Sequence, residues 1–545
     1  MPRGDPNVLE RVAGSLPAHD DTFGVMKCRR AAGIALVCSV SAIAFQNSQA
    51  RRYFEQARQS FEERKWDDAQ TAATNALAAD PQMGDAEILL GLIATVQSKF
   101  AEAEKHFARA VALEPRNYQA HAYLGSTYLQ EKRLSQAADA FGKVLELNPA
   151  NVAANYNLGL IALAQGSPAE ALRLFEKVTE RNHADVPALI GILESQLMLH
   201  QTAGAHETTR QLGQLLDHRD PRLFQVATLL AQHGESAAAI PLMDQVHTGF
   251  PQSYDVSYNL ALACFEASRY DRAAEILQTI TGPQGTAEAF DLLGAVEERR
   301  AHTDAAERDF QEAVRREAAN EDYRFNYGNS LVQHGKLETG VAAFRSAVSD
   351  LPKSWKLRIG LGSTCYLAGD YQGAAEALLA AVGIKPDSAT AYFLLGEAYD
   401  SAQGFQTAIE TAFTSYLKGA PRDPWAYYHY AAIQYGHAQA DGGDYQSAAA
   451  NLNKALRLNP NFAEAHFELG LIALAQDKVE KGIGALEKAV SLDPRLAAAH
   501  YRLGLAYRQA GNAARAKEEL DRFQALKDDT HYRGRVLESL GSMSR

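Results

Sequence analysis

The fold is decided by a stretch that recurs along the chain in many variants. Residues 123–149 read YLGSTYLQEKRLSQAADAFGKVLELNP, and residues 467–494 read FELGLIALAQDKVEKGIGALEKAVSLDP. Each has a glycine near its start, a second small residue twelve positions later, and a proline at its end. In both halves the apolar residues follow the i, i+3, i+4, i+7 spacing of an amphipathic helix. The stretch therefore predicts two helices joined by a turn.

The closing proline gives the period of the repeat. It stands at Pro81, Pro115 and Pro149, at Pro352 and Pro386, and at Pro460 and Pro494, in steps of 34 residues. A frame of this length from Ala50 to Lys527 holds about fourteen repeats. It loses one residue before Phe290, gains two near Asp423, and gains four around residues 441–443. We expect the last insertion to enlarge a loop at residues 440–444.

Small residues occupy two positions of the frame almost throughout. The eighth position holds Gly91, Gly125, Gly159, Gly294, Gly328, Gly362, Gly396, Gly470 and Gly504, and alanine in four other repeats. The twentieth position holds alanine in twelve repeats and glycine at Gly340 and Gly482. Small side chains let paired helices approach closely, and larger ones such as Phe107 and Phe344 would fill the space between repeats. The fifth repeat departs from this pattern with Leu193 and Thr209, so we expect looser packing there.

Glycine marks the turn between the two helices in several repeats, because glycine adopts positive φ at little cost. These residues are Gly166, Gly234, Gly335, Gly369 and Gly511.

The pattern resembles the tetratricopeptide repeat family over nearly all of the chain after residue 50. The resemblance implies an all-α, right-handed superhelical solenoid of about fourteen helix-turn-helix repeats, whose first helices line a concave groove. It also implies a protein-binding scaffold, not an enzyme, and the same array serves many different partners.

The resemblance implies that the fifth residue of each first helix projects towards a ligand. This position holds Phe54, Ile88, Tyr156, Ile190, Phe224, Tyr258, Phe325, Ile359, Phe393, Phe467 and Tyr501. Asn157, Asn259 and Asn326 follow at the sixth position, where an amide can donate to and accept from an extended peptide backbone. The candidate groove residues are Tyr156, Asn157, Tyr258, Asn259, Phe325, Asn326, Lys356, Trp425 and Tyr427. The alternative is that the aromatic members are framework residues packed between helices.

Two further patterns bear on these candidates. The family includes a carboxylate clamp that binds chaperone C-termini, and Lys356 with Asn326 is the nearest approach to it. Asp291 and Ala295 stand where the clamp needs lysine and asparagine, so we do not expect that subtype. The run PWAYYHY at residues 424–430 is the densest aromatic cluster and a candidate binding hot spot, or else part of the core.

Catalytic and metal chemistry find little support in the sequence. His121, His466 and His500 share the fourth position of their repeats, which predicts a packing role repeated by the architecture. Cys264 and Cys365 share the eleventh position, where a small buried residue is expected. No nucleotide-binding, serine-hydrolase or zinc-protease motif occurs, and we expect no cofactor. A net charge of -12 and a pI near 5.8 argue against a nucleic-acid partner.

The N-terminal region predicts export. Residues 26–50 read MKCRRAAGIALVCSVSAIAFQNSQA, a basic start, an apolar stretch and the small-x-small site Ser48-Gln49-Ala50. The alternative is an uncleaved membrane anchor. Residues 1–25 fit no signal pattern and are interpreted as a non-native or disordered leader before a natural start at Met26. The solenoid would then span 51–527 and a polar tail 528–545. The mature body would then lie in the periplasm or cell envelope.

The leading hypothesis is an exported adaptor that holds protein or peptide partners in its groove. A carbohydrate- or cell-wall-binding module is the alternative from another class, since aromatic residues also stack on sugars. A regulatory subunit of an envelope enzyme or polysaccharide-export complex is the third.

Overall fold

The computed structural model describes residues 37–441, 443, 445–526 and 543. Over this part the chain forms twenty-eight α-helices and no strand, which confirms the predicted all-α class. The predicted leader at 1–25, residues 26–36 of the predicted signal, and all of the predicted tail except Met543 lie outside the described residues. The chain divides into two compact units at the boundary between Ala267 and Ser268.

The first unit contains thirteen helices among its described residues. They are α1 (Val37–Glu62), α2 (Trp66–Ala79), α3 (Gly84–Val96), α4 (Phe100–Leu113), α5 (Tyr118–Gln130), α6 (Leu134–Leu147), α7 (Val152–Ala164), α8 (Pro168–Thr179), α9 (Val186–Met198), α10 (Thr202–Leu215), α11 (Pro221–Gln232), α12 (Ser236–Gly249) and α13 (Tyr254–Glu266). Helix α1 runs unbroken through the predicted cleavage site at Ser48-Gln49-Ala50.

The second unit contains fifteen helices in its described part. They are α14 (Tyr270–Ile280), α15 (Ala287–Arg299), α16 (Thr303–Arg316), α17 (Glu321–Gln333), α18 (Leu337–Asp350), α19 (Trp355–Leu367), α20 (Tyr371–Ile384), α21 (Ala389–Ala398), α22 (Gln406–Lys418), α23 (Pro424–Asp441), α24 (Gln446–Leu458), α25 (Ala463–Ala475), α26 (Val479–Leu492), α27 (Ala497–Gln509) and α28 (Ala513–Leu526). Odd-numbered helices are the first helix of a repeat (helix A) and even-numbered helices the second (helix B), so the order of helices matches fourteen repeats.

Helices A and B of a repeat pack through the small residue at position eight and a large residue at position twenty-four. A Cβ atom on Gly328 would lie 2.6 Å from the Phe344 ring, and one on Gly362 would lie 2.5 Å from Cγ of Leu378. A Cβ on Gly360, in the next repeat, would also meet Phe344. The buried ring therefore occupies the space that two glycines leave open, which confirms the predicted role of the small residues.

In the fifth repeat the large residue stands at position eight and the small residue at position twenty-four. Leu193 at position eight is fully buried, and Thr209 at position twenty-four is 8% exposed. The Thr209 hydroxyl donates to the carbonyl oxygen of Ala205 at 2.7 Å, so its polar atom is satisfied within its own helix. The expected loosening is therefore not seen at these positions, because a large residue on helix A accompanies a small one on helix B.

The turn between helices A and B places position fifteen in the left-handed region. The predicted glycines have φ between 72° at Gly166 and 81° at Gly369. The same position has positive φ without glycine at Arg64, Ser98, Lys132, His200, Ser268, Ala301 and Asp477. Each such residue costs about 1–2 kcal/mol relative to an ordinary conformation. The turn is therefore imposed by the packing of the two helices and does not depend on glycine.

A hydrogen bond between consecutive repeats recurs at position four of helix A. The side chain there reaches back six residues to the carbonyl oxygen at position thirty-two of the preceding repeat. The Nε2 atoms of His121, His466 and His500 lie 3.1, 3.2 and 3.0 Å from the oxygens of Pro115, Pro460 and Pro494. Asn155, Arg324 and Arg358 make the same contact with Pro149, Ala318 and Pro352. The predicted packing role of the histidines is confirmed.

The four-residue insertion lengthens a helix. Helix α23 spans eighteen residues and ends at Asp441, whereas most A helices span thirteen. The expected loop at 440–444 is therefore wrong in its first part, because residues 440 and 441 continue the helix.

Substitution at Gly362 should separate two helices. Gly362→Leu places a side chain where Leu378 already lies, and we expect a loss of about 1–3 kcal/mol in the free energy of unfolding. Gly383→Leu is the matched control, because Gly383 is an exposed glycine of α20 with nothing within 4 Å of its would-be Cβ. Urea denaturation followed by circular dichroism measures both. Equal midpoints for the two variants would contradict the packing described here.

Candidate functional site

We use the term A-face for the side chains at positions five and six of the A helices. In the fourth repeat, the half-buried ring of Tyr156 meets Phe175 edge-on, with 5.7 Å between ring centres. Asn157 is only 4% exposed, and its Nδ2 donates to the carbonyl oxygen of Ala153 at 2.8 Å. This predicted pair therefore contributes to the packing of its own repeat.

The seventh repeat leaves its asparagine more accessible. Tyr258 is half-buried and stacks on Tyr254, with 5.8 Å between ring centres. Asn259 is partly exposed, and its Nδ2 donates to the carbonyl oxygen of Asp255 at 2.8 Å. One N–H of the Asn259 amide is engaged, so its second N–H and its Oδ1 atom remain for a partner.

The ninth and tenth repeats bring the predicted residues Phe325 and Lys356 into contact. Phe325 is fully buried and packs edge-on against Phe344, so the prediction that its ring projects towards a ligand is wrong. Lys356, on α19, holds its Nζ atom 4.8 Å from the centre of the Phe325 ring. The same Nζ lies 2.5 Å from a carboxylate oxygen of Asp322, on α17. The Phe325 ring is therefore part of the core, and the charged end of Lys356 lies against it.

Asn326 links two A helices. Its Nδ2 lies 2.9 and 3.1 Å from the two carboxylate oxygens of Asp291, on α15. Burial raises the pKa of Asp291 to about 6. The hydrogen bond from Asn326 and the positive charge of Lys356 lower the pKa, while Asp322 and Glu288 raise it further. At neutral pH the site is therefore negatively charged, and a ligand carboxylate would be repelled from it.

The aromatic cluster of the twelfth repeat lies in the core. The Trp425 ring meets Phe393 and Phe462 edge-on, with ring centres 5.1 and 4.6 Å away. Tyr427 is 5% exposed, and Nζ of Lys454 lies 5.4 Å from its ring centre. The framework alternative therefore fits these rings, and the proposed hot spot is not supported by their burial.

One polar residue of the A-face was not predicted from the sequence. Glu468 stands at position six of the thirteenth repeat, and its Oε2 atom is buried without a hydrogen-bond partner. Burial raises the pKa of Glu468 to about 7, with Arg502 lowering it and Asp400 raising it. The sequence could have indicated this residue, since Glu468 occupies the sixth position of its repeat, as do Asn157, Asn259 and Asn326.

Reactive groups elsewhere are inert in their surroundings. Cys264 and Cys365 are 0% and 1% exposed, which confirms their predicted buried position. Burial raises the pKa of the Cys365 thiol to about 11, so it stays protonated at neutral pH. Among the described residues, no group of three or more His, Cys, Asp or Glu side chains is placed to hold a metal ion.

Comparison with protein families decides the assignment of the chain. Models described as tetratricopeptide repeat match residues 54–104, 89–143, 128–195, 230–296, 292–354, 328–389, 368–424, 435–496 and 476–529. The chain belongs to the tetratricopeptide repeat family. Members of this family are protein-interaction scaffolds, and their repeat fold is generally non-catalytic. A search of curated proteins gave no match to this tetratricopeptide repeat protein.

The chain is also similar to solved structures that cover different shares of it. Pseudomonas aeruginosa pilF is 19% identical, with 41% of this chain and 99% of pilF covered and a TM-score of 0.33. YrrB, described as having an unusual peptide-binding site, is 20% identical, with coverage of 33% and 93% and a TM-score of 0.30. Yeast Tom70 is 13% identical, with coverage of 91% and 96% and a TM-score of 0.33.

Neutralising Glu468 should stabilise the protein at alkaline pH. The folded pKa is raised above the unfolded value, so the free energy of unfolding falls as pH rises from about 4.5 to about 7. Glu468→Gln removes this penalty, and we expect a gain of up to about 3 kcal/mol at pH 8 that shrinks towards pH 5. Denaturant titration at both pH values measures the gain. Glu480→Gln, at an exposed glutamate of α26, is the control; a pH-independent effect of Glu468→Gln would contradict the buried-carboxyl description.

Proposed function

We propose that this protein is an exported, non-catalytic adaptor that binds extended segments of partner proteins along its A-face. The observation that carries the proposal is the group formed by Asp291, Asn326 and Lys356. Three successive repeats contribute these polar side chains to one face of three A helices. The pairing of helices A and B does not require them, since it rests on small and large apolar residues.

The asparagines give the A-face its hydrogen-bonding character. The Nδ2 atoms of Asn259 and Asn326 are used within the chain, by Asp255 and Asp291. The Oδ1 atom of Asn326 is buried, whereas the Oδ1 atom and the second N–H group of the partly exposed Asn259 suit the backbone of a partner segment. Recognition of a backbone in this way needs no particular partner sequence, as expected of a scaffold.

The carbohydrate-binding alternative has less support. Stacking on a sugar needs an accessible ring face, whereas Trp425 and Tyr427 contact other side chains. A regulatory subunit remains a special case of the adaptor, in which the bound partner is an enzyme.

Export is proposed from the sequence of residues 26–50, with its basic start, apolar stretch and small residues before Arg51. No helix in the described part of the chain combines the length and the apolar character needed to span a bilayer.

Removing the A-face amides should weaken partner binding without unfolding the protein. Partners are captured from a cell-envelope extract by the immobilised full chain, purified, and titrated against each variant by calorimetry. We expect Asn259→Ala with Asn326→Ala to raise Kd about tenfold, because the first removes a hydrogen bond to the partner and the second removes the amide that holds the Asp291 carboxylate. Asn453→Ala is the control, because Asn453 makes the same bond to its own helix, at 2.8 Å to Ala449, on helix B.

An unchanged Kd in the double variant would exclude the A-face as the binding surface. A large loss of helicity would show that the two amides hold the fold.

Cleavage after Ala50 gives a separate test of export. We expect the protein purified from a bacterial envelope fraction to have a mass that corresponds to a chain starting at Arg51. A protein that retains residues 26–50 and stays with membranes after carbonate washing would favour the anchor, and recovery in the cytosol would exclude export.

A further inference from the structure

The last described residue of the chain lies against the core of earlier repeats. Met543 is partly buried and packs against the hydrophobic cluster that runs from Phe325 in the ninth repeat to Ile433 in the twelfth. The last helix, α28, belongs to the fourteenth repeat and ends at Leu526. The end of the chain therefore reaches back beyond the thirteenth repeat.

The connection between Leu526 and Met543 is long enough for this return. We use the term C-terminal segment for residues 527–545. Its residues 527–542 can span up to roughly 55 Å when extended. If A helices of adjacent repeats lie about 10 Å apart, a path from the fourteenth repeat to the eleventh covers about 30 Å. The segment can therefore follow the surface of the repeats that it passes.

The end of the C-terminal segment has the apolar residues that docking needs. Residues 536–543 read VLESLGSM, in which Val536, Leu540 and Met543 follow the i, i+4, i+7 spacing. Apolar residues at this spacing anchor a segment in a hydrophobic groove. Because Met543 is one of the three and already contacts the repeats, the same spacing can bring Val536 and Leu540 to them as well.

Charge distinguishes the two sides of the array as a place for the C-terminal segment. The A helices of the eleventh to thirteenth repeats contain acidic residues, among them Glu397 and Glu464, and no lysine or arginine. The B helices of these repeats carry more basic than acidic residues, with Lys418, Lys454, Arg457, Lys481 and Lys488 against Glu410, Glu480 and Glu487. The segment has Arg533 and Arg535 just before its apolar residues. Opposite charges therefore favour the A helices.

The start of the C-terminal segment has the opposite charge, as does the repeat beside it. Asp528 and Asp529 follow α28 closely in the sequence. The A helix of the fourteenth repeat, α27, carries the exposed Arg502 and Arg508. A path from the fourteenth repeat back to the eleventh thus meets a basic and then an acidic set of A helices, in the order in which the segment presents aspartate and then arginine.

We propose that the C-terminal segment docks on the A helices of the ninth to thirteenth repeats of its own chain and competes there with partner segments. The docking goes beyond the proposed function and does not depend on it, whereas the competition rests on it. A partner that binds this part of the array must displace the C-terminal segment, which lowers its apparent affinity.

A fluorescent peptide with the sequence of residues 527–545 tests the docking without an external partner. Leu540→Asp with Met543→Asp in the full chain should release the segment. We expect this variant to bind the peptide at least about tenfold more tightly than the wild type, whose own segment occupies the surface at a high effective concentration. Ser539→Asp with Ser542→Asp is the matched control, because it adds the same charge between the apolar residues and should bind as the wild type does.

Fluorescence anisotropy measures the three affinities. If the peptide fails to bind the variant with Leu540→Asp and Met543→Asp, the docking is overturned. Equal binding to this variant and to the wild type would overturn it as well, because the surface would then be open in the wild type.

Photocrosslinking locates the docked segment. Ser544→p-benzoylphenylalanine places the probe next to Met543 and leaves the apolar residues unchanged. After irradiation of the full chain, we expect mass spectrometry to find links to α17, α19, α21 or α23. Links to B helices only, links between two molecules only, or no link at all would overturn docking on the A helices of the same chain.

The competition has its own test. A partner captured from the envelope extract should bind the variant with Leu540→Asp and Met543→Asp more tightly than the wild type. Equal Kd values would overturn the competition and leave the docking intact. If no partner is captured, the proposed function fails and the competition with it, whereas the peptide and crosslinking results still decide the docking.

Discussion

The distance between helices A and B within a repeat controls what the rest of this structure can do. At position eight the absence of a side chain lets a ring or a leucine from helix B lie against the backbone of helix A. The Phe344 ring lies where Cβ atoms of both Gly328 and Gly360 would be, so the same contact that joins two helices also joins two repeats. Packing of this kind requires complementary sizes, not particular residues, as Leu193 with Thr209 shows. Polar members of the A-face such as Asn259 and Asn326 take no part in this contact, since they bond to Asp255 and Asp291.

The periodic part of this architecture could be predicted from the sequence because it is local. A repeat needs two amphipathic helices, a turn and small residues at fixed positions. Each of these corresponds to a recognisable pattern in the sequence. The order of helices, the buried cysteines and the left-handed turns all follow from that pattern. The insertion near residue 441 was misplaced, because a gain in length does not show whether a loop or a helix absorbs it. Helix α23 absorbed part of it, since Ala440 and Asp441 are compatible with continued helix.

The candidate site could be predicted only in part, because its chemistry depends on contacts between repeats. Asn326 was predicted from its position in the repeat. Its amide nitrogen donates to Asp291, which lies 35 residues earlier in the chain and could not be identified from that position. Phe325 shares the fifth position with the half-buried Tyr156 and Tyr258 and yet is fully buried. The position within the repeat specifies which side of a helix a residue occupies. The neighbouring repeats determine how buried that residue is, which partners it has and whether it is charged. The same limitation explains why Glu468 was overlooked, since its character arises from burial and from Arg502.

The bond from position four back to position thirty-two has a consequence for how such a chain could lengthen. It spans only six residues, from Pro494 to His500 for example, and so both partners lie within one short connector. A tandem duplication of 34 residues adds one complete connector, because a segment that begins inside a connector has it restored where the two copies join. Neither the older nor the newer copy then loses a hydrogen bond at the junction. Gene duplication could therefore extend the array one repeat at a time, and no new connector would have to evolve first.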